Sequence, residues 1–183
     1  IFVDQIKKAT ASGGDGDDYI SADSGISKGL AYGNAGDDTF VLTGAATSSS
    51  LYGGAGDDST TLGSTADTID FDGGLGDDTL SITGNVSGSN LHGDNATATT
   101  GGDDLVSIDA GFIASTFYGG SGEDSLYVVN GASTAALIDG GAGNDFLSLG
   151  ALSGTSSLLG QAGEDTITVA GNNTQWFVDA GGD

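Results

Sequence analysis

The sequence predicts an all-β fold: a right-handed parallel β-helix or β-roll solenoid of about eight to nine coils, each of ~20 residues. Three observations predict it. A glycine-aspartate phrase recurs at near-constant spacing. Apolar and polar residues alternate just after each phrase. The chain has no Pro, so every coil can donate its ladder hydrogen bonds.

The phrase is clearest in Gly13-Gly-Asp-Gly-Asp-Asp18, Gly53-Gly-Ala-Gly-Asp-Asp58 and Gly140-Gly-Ala-Gly-Asn-Asp145. Its last residue sets the register: Asp18, Asp38, Asp58, Asp78, Asp104, Asp124, Asp145 and Asp165. The steps are 20, 20, 20, 26, 20, 21 and 20. The long step is a six-residue insertion that splits the fifth copy, with Asn95 to Thr100 expected to loop outward without shifting the coil. Residues 13–183 are read as the repeat array, and 1–12 as a lead-in strand or preceding coil. The last residues, Gly181-Gly182-Asp183, start what reads as a ninth copy, so a longer array is expected.

Two places after the fixed Asp come Ile20, Phe40, Thr60, Leu80, Val106, Leu126, Leu147 and Ile167. Four places after it come Ala22, Leu42, Leu62, Ile82, Ile108, Val128, Leu149 and Val169. This period-2 pattern is a strand with one buried face, in which Thr60 is the weak inward position. A second strand precedes the next phrase, carrying Leu51, Phe71, Leu91, Phe117, Ile138 and Leu158. Each unit thus reads strand, loose turn, strand, Gly-Asp turn. One unit cannot bury its own apolar residues, whereas stacked units can. At ~4.8 Å per strand, eight coils make a rod roughly 40 Å long.

Composition excludes several functions. Asp and Glu number 26 against 3 Lys and Arg, a net charge of -23, which rules out a counterion-displacing nucleic-acid surface. Without Cys there is no disulfide, zinc-thiolate site or thiol nucleophile. His92 is the single His, which excludes multi-histidine metal sites. No apolar run approaches the ~20 residues of a membrane span, and no N-terminal secretory signal is read. Catalysis finds no constellation. The Asp-Asp pairs repeat with the fold, His92 suits a surface or loop role, and Trp176 and Phe177 suit core or inter-coil packing. Three glycosylation sequons, at Asn85, Asn95 and Asn172, match what chance predicts in so Asn- and Ser-rich a chain.

The acidity is concentrated in the turns, which hold or border 18 of the 26 carboxylates. Stacking would place the fixed Asp in a row about 5 Å apart. Asp17, Asp37, Asp57, Asp77, Asp103, Glu123, Asn144 and Glu164 make a second row beside it. Bare carboxylates at that spacing repel and raise one another's pKa. Lys7, Lys8 and Lys28, all near one end, cannot neutralise them. A hard divalent cation can. Oxygen-only ligands favour calcium or magnesium, and flexible turns rich in carbonyls favour calcium. Glycines at the fourth turn position (Gly16, Gly36, Gly56, Gly76, Gly122, Gly143 and Gly163) would turn the backbone and offer carbonyls.

The phrase followed by x-U-x resembles the calcium-binding nonapeptide of the RTX (haemolysin-type) family, G-G-x-G-x-D-x-U-x, over residues 13 to 183. The resemblance implies calcium ions between stacked turns of a parallel β-roll. It carries the carboxylate role onto Asp18, Asp38, Asp58, Asp78, Asp104, Asp124, Asp145 and Asp165, with turn carbonyls as the other ligands. The phrase lies on one side of each coil, so a single calcium row is expected rather than the usual two. Asn34, Asp94 and Gln161 replace the second Gly, and the split fifth copy departs furthest.

The family implies a secreted protein, exported by type I secretion, and an extracellular or bacterial cell-surface location. Low Lys, absent Arg, Cys and Met, and abundant Ser, Thr, Gly and Ala resemble bacterial surface-layer proteins. The leading expectation is therefore a non-enzymatic structural module of a surface layer or extracellular scaffold, self-associating in a lattice or packing on neighbouring coils. The alternative is a spacer or folding module of a large adhesin or secreted enzyme (toxin, protease or lipase). Ice binding, known among one-sided rods of this kind, would need a Thr and Asn row in the turns. The third turn position instead reads Asp15, Ala35, Ala55, Leu75, Ser121, Ala142 and Ala162.

Overall fold

The computed structural model describes residues 1–94, 100–171 and 176–182, without the Trp176 side chain. The chain winds as a parallel solenoid of about eight coils, and no helix occurs among the described residues. The first face stacks Tyr19–Ala22, Thr39–Leu42, Ser59–Leu62, Thr79–Ile82 and Leu105–Ile108 in parallel register. Partners lie 20 residues apart, as in Thr60 with Phe40 and Leu80. Across the insertion Thr79 still pairs with Leu105 and Leu80 with Val106, so the stack keeps its register. The path of residues 95–99 lies outside the described residues.

The stretch read as a loose turn holds a third strand of two residues. It recurs as Ile6–Lys7, Ile26–Ser27, Ala46–Thr47, Ala66–Asp67, Val86–Ser87 and Phe112–Ile113. Ile6, Ile26, Ala46, Ala66, Val86 and Phe112 are all buried. From the coil starting at Ser125, this face fuses with the first into Ser125–Thr134 and then Phe146–Ser153. A left-handed residue follows each short strand: Lys8 (φ 49°), Lys28 (52°), Ser48 (49°) and Thr68 (55°). Beyond that corner, buried hydroxyls take over from ladder carbonyls. Ser49 Oγ accepts from Gly29 N at 3.2 Å, and Ser89 Oγ accepts from Ile69 N at 3.1 Å. These bonds keep the corner backbone satisfied without water.

The remaining face runs through Thr10–Asp15, Leu30–Ala35, Ser50–Ala55, Asp70–Leu75, Asn90–Asp94, Thr116–Ser121, Leu137–Ala142 and Ser156–Ala162. Its buried Leu51, Phe71, Leu91, Phe117, Ile138 and Leu158 complete a core one side chain deep per face. Thr60 is buried with them at 1% exposure, because Phe40 and Leu80 hold it in the ladder.

Of the two placements expected for Phe177, the core or a neighbouring coil, the core is not the one taken: it is 56% exposed. Strand parity is the reason. Leu158 faces inward and pairs with Val178, so Phe177 beside it must face out.

Candidate metal centre

Each Gly-Asp turn joins the third face to the next strand of the first. Its opening glycine is required by the aspartate five residues on, whose side chain folds back over it. A Cβ at Gly53 would lie 2.3 Å from both Asp58 Oδ2 and the Gly73 carbonyl oxygen. Gly33, Gly73, Gly93, Gly119 and Gly160 meet the same pair of obstacles from their own aspartate and the next coil, and Gly140 meets Asp145 Oδ2 equally closely. Gly53→Ala should therefore cost about 1–3 kcal/mol by overpacking. The check is thermal unfolding in saturating calcium, where an unchanged midpoint would refute this reading of the turn.

At the fourth turn position the backbone takes φ values only glycine adopts freely. Gly16 stands at 91°, Gly36 at 116°, Gly56 at 124°, Gly76 at 117°, Gly122 at 136°, Gly143 at 137° and Gly163 at 137°. The carbonyls of these glycines point along the rod at the next turn. Gly36 O lies 2.4 Å from where a Gly56 Cβ would stand, and Gly56 O lies equally close to that of Gly76. The second position also has positive φ, even where Asn34 (89°) and Gln161 (77°) occupy it.

The fixed aspartates form an inner row. Asp38, Asp58, Asp78, Asp104, Asp124 and Asp145 are all buried, while Asp18 and Asp165 at the ends are half-buried. Their Oδ1 atoms bind backward along the rod. Asp18 N donates to Asp38 Oδ1 at 2.8 Å, Asp38 N to Asp58 Oδ1 at 2.7 Å, and Asp58 N to Asp78 Oδ1 at 2.7 Å. The chain of bonds continues through Asp104, Asp124, Asp145 and Asp165 at 2.8–2.9 Å. Their Oδ2 atoms, from Asp38 to Asp165, are buried with no hydrogen-bond partner.

Burial drives the carboxyls of Asp38, Asp58, Asp78, Asp104, Asp124 and Asp145 upward. Desolvation is the main cause, the backbone N–H each accepts opposes it, and neighbouring carboxylates add to it. Asp58 and Asp145 are pushed up to about 6, Asp78 and Asp124 to about 7, and Asp104 to about 8. Asp38 is raised as well.

The neighbouring row points the other way and is exposed. Asp17 Oδ1 accepts from Asp37 N at 3.0 Å, Asp37 Oδ1 from Asp57 N at 2.9 Å, and Asp57 Oδ1 from Asp77 N at 2.9 Å. Asn144 Oδ1 accepts from Glu164 N at 2.8 Å, so an amide serves this outer role equally well. The two rows do not face one another. The inner one reaches to the coil before, the outer one to the coil after, and together they extend the ladder around the turn.

A divalent cation fits the inner row on three observations. From Asp38 to Asp165 each turn holds a carboxyl oxygen that is buried and unpartnered. The three lysines that could offset it are exposed and confined to the first two coils. The turns also direct glycine carbonyls along the rod, and these are hard oxygen donors suited to calcium. Among the described residues no three His, Asp or Glu side chains converge on one point, so a cation held here would draw its other ligands from backbone oxygens or water.

Sequence reasoning missed three features. Asp72 and Asp139, outward on the third face, each keep a buried unpartnered Oδ1. Asp94 is buried inside the split turn. The inward Ser row of the corner recurs at Ser49, Ser89, Ser115 and Ser156, a spacing visible in the sequence. His92 is half-buried, with its ring edge-on to Tyr118 at 5.2 Å. No described helix is long and apolar enough to cross a membrane.

The RTX calcium-binding nonapeptide repeat matches the chain in four copies, over residues 10–27, 32–69, 114–135 and 137–155, together more than half of its length. No curated protein and no solved structure matches the chain.

Proposed function

The chain belongs to the family of RTX calcium-binding repeats, structural calcium-binding modules typical of secreted bacterial proteins, and from that premise we propose that it is a calcium-stiffened rod of a bacterial surface layer or comparable extracellular scaffold. The observation that carries the calcium part is the run of buried, unpartnered Oδ2 atoms from Asp38 to Asp165. In this reading the inner carboxylates Asp18, Asp38, Asp58, Asp78, Asp104, Asp124, Asp145 and Asp165 are the anionic ligands. The carbonyls of Gly16, Gly36, Gly56, Gly76, Gly122, Gly143 and Gly163 supply neutral oxygens. Bound calcium would provide the positive charge that the row lacks.

The residues themselves do the rest. Each inner Asp already ties its own coil to the one before through Oδ1, so an occupied Oδ2 would make both its oxygens part of one inter-coil joint. The opening glycine clears the space, and the fourth-position glycine directs its carbonyl along the rod. Such a rod offers repeating flat faces to neighbours, as a lattice requires, and the composition resembles that of surface-layer chains. Electron microscopy of the calcium-loaded chain tests the lattice part. Ordered two-dimensional arrays are expected, whereas separate rods at every concentration would overturn the scaffold reading and leave calcium binding standing.

A further inference from the structure

The fifth turn breaks the pattern of all the others. Elsewhere the second turn position has positive φ, as at Gly54 (127°), Gly74 (121°), Gly120 (124°) and Gly141 (110°). Asp94, the second position of the split turn, is not among the described residues with positive φ. At the fourth position Gly102 O still lies 2.1 Å from where a Gly122 Cβ would stand.

At the second position a side chain stands where the regular turns have a carbonyl. In the regular turns, the second-position glycine stands against a carbonyl of the preceding coil: Gly54 against Asn34 O, Gly74 against Gly54 O, Gly141 against Gly120 O. At Gly120 the group in that place is the Asp94 carboxylate, with Oδ2 2.4 Å from a Cβ position. Asp94 is 4% exposed and held firmly. Its Oδ2 accepts from Ser121 N at 2.8 Å and Ser121 Oγ at 3.3 Å, and its Oδ1 accepts from Gly102 N at 3.3 Å. Gly101 is packed so closely against it that a Cβ there would overlap the carboxylate.

Around Asp94 lie three fully buried members of the inner row. Asp78, Asp104 and Asp124 are 3%, 2% and 0% exposed, each with an unpartnered Oδ2. Burial is the main cause that raises all three carboxyls, and the nearby Asp94 adds to it. Among the described residues the middle of the rod therefore gathers one more buried carboxyl group than any other turn, and the nearest lysine is more than two coils away. Calcium affinity rises with the charge count of the ligand set.

We propose that Asp94 is a calcium ligand in its own right, a carboxylate standing where the other turns present a carbonyl, and that the split fifth turn is the tightest calcium site of the array. This rests on the reading that the inner row holds calcium.

The test is calcium binding by isothermal titration against a competing chelator, on the whole chain and on Asp94→Asn. Asn keeps the shape and an acceptor oxygen but not the charge. The intact chain should show one site tighter than the rest, and Asp94→Asn should weaken that site on the order of tenfold or more while the others stay. Isotherms that superimpose would overturn the proposal. Should the variant not fold even in saturating calcium, hydrogen exchange of the unaltered chain at low calcium decides. Protection should appear first at 91–94, 102–108 and 116–124, and its appearance first in another coil refutes the assignment. If the intact chain binds no calcium at all, the calcium reading itself has failed, an outcome distinct from uniform sites.

Discussion

In excess chelator at neutral pH the chain is expected to lose most of its β-structure, and to regain it cooperatively as calcium is restored to about millimolar levels. The net charge of -23 sets the scale of the repulsion. Six inner carboxylates sit in the protein interior, and each keeps one oxygen without a partner. A core one side chain deep must outweigh that cost and the entropy of ordering 35 glycines. When only the folded state binds the ion, binding free energy becomes folding free energy. Because each inner Asp bridges two coils, loss at one turn loosens its neighbours, so Asp58→Ala should raise the calcium midpoint of the whole transition. A chain of this kind would stay extended at low cytoplasmic calcium, as export requires, and fold outside. Circular dichroism during the titration reads it, and full β-structure in chelator would defeat the expectation.

The second large effect is acid rescue without calcium. The folded carboxyls of Asp58, Asp78, Asp104, Asp124 and Asp145 sit at about 6 to 8, above the 3.8 of a free aspartate. A folded pKa raised above the unfolded one means that the fold binds protons more tightly. Their contribution is thus fully present below about pH 4 and is lost as pH rises through the folded values. In chelator the chain should be folded near pH 5 and unfolded by pH 8, whereas in calcium the dependence should flatten. Calcium added at pH 7 to a weakly buffered, proton-loaded chain should release protons. Asp104→Asn, neutral at every pH, should make the metal-free chain less sensitive to alkali. Stability in chelator that instead rises between pH 5 and pH 8 would show that these carboxyls are ionised in the fold and otherwise compensated.

Much of this was legible in the residues. The fixed Asp and the inward pairs such as Phe40 and Leu42 set period, parity and stacking, and every one of those strands forms in register. The third strand was hidden because a two-residue strand with Ala46 or Ala66 as its inward residue carries almost no hydropathy signal. Phe177 misled by its size, although the parity of Leu158 already pointed to Val178 as the inward residue. That the two acidic rows bind opposite coils could not be read, because adjacent aspartates look alike until the strand pleat assigns one inward and one outward. The place of Asp94 was equally obscured: an Asp in a glycine position reads as a departure from the phrase until the carboxylate is seen against Gly120.

The central claim, that the inner aspartates hold calcium, is tested most directly by anomalous diffraction from crystals grown in calcium. A single row of ions along one side of the rod is expected, each within about 2.3–2.6 Å of an inner Asp Oδ2 and of turn carbonyl oxygens. Ions bound only by the exposed Asp17–Glu164 row, a second row on the opposite side, or turns without ions in saturating calcium would contradict it.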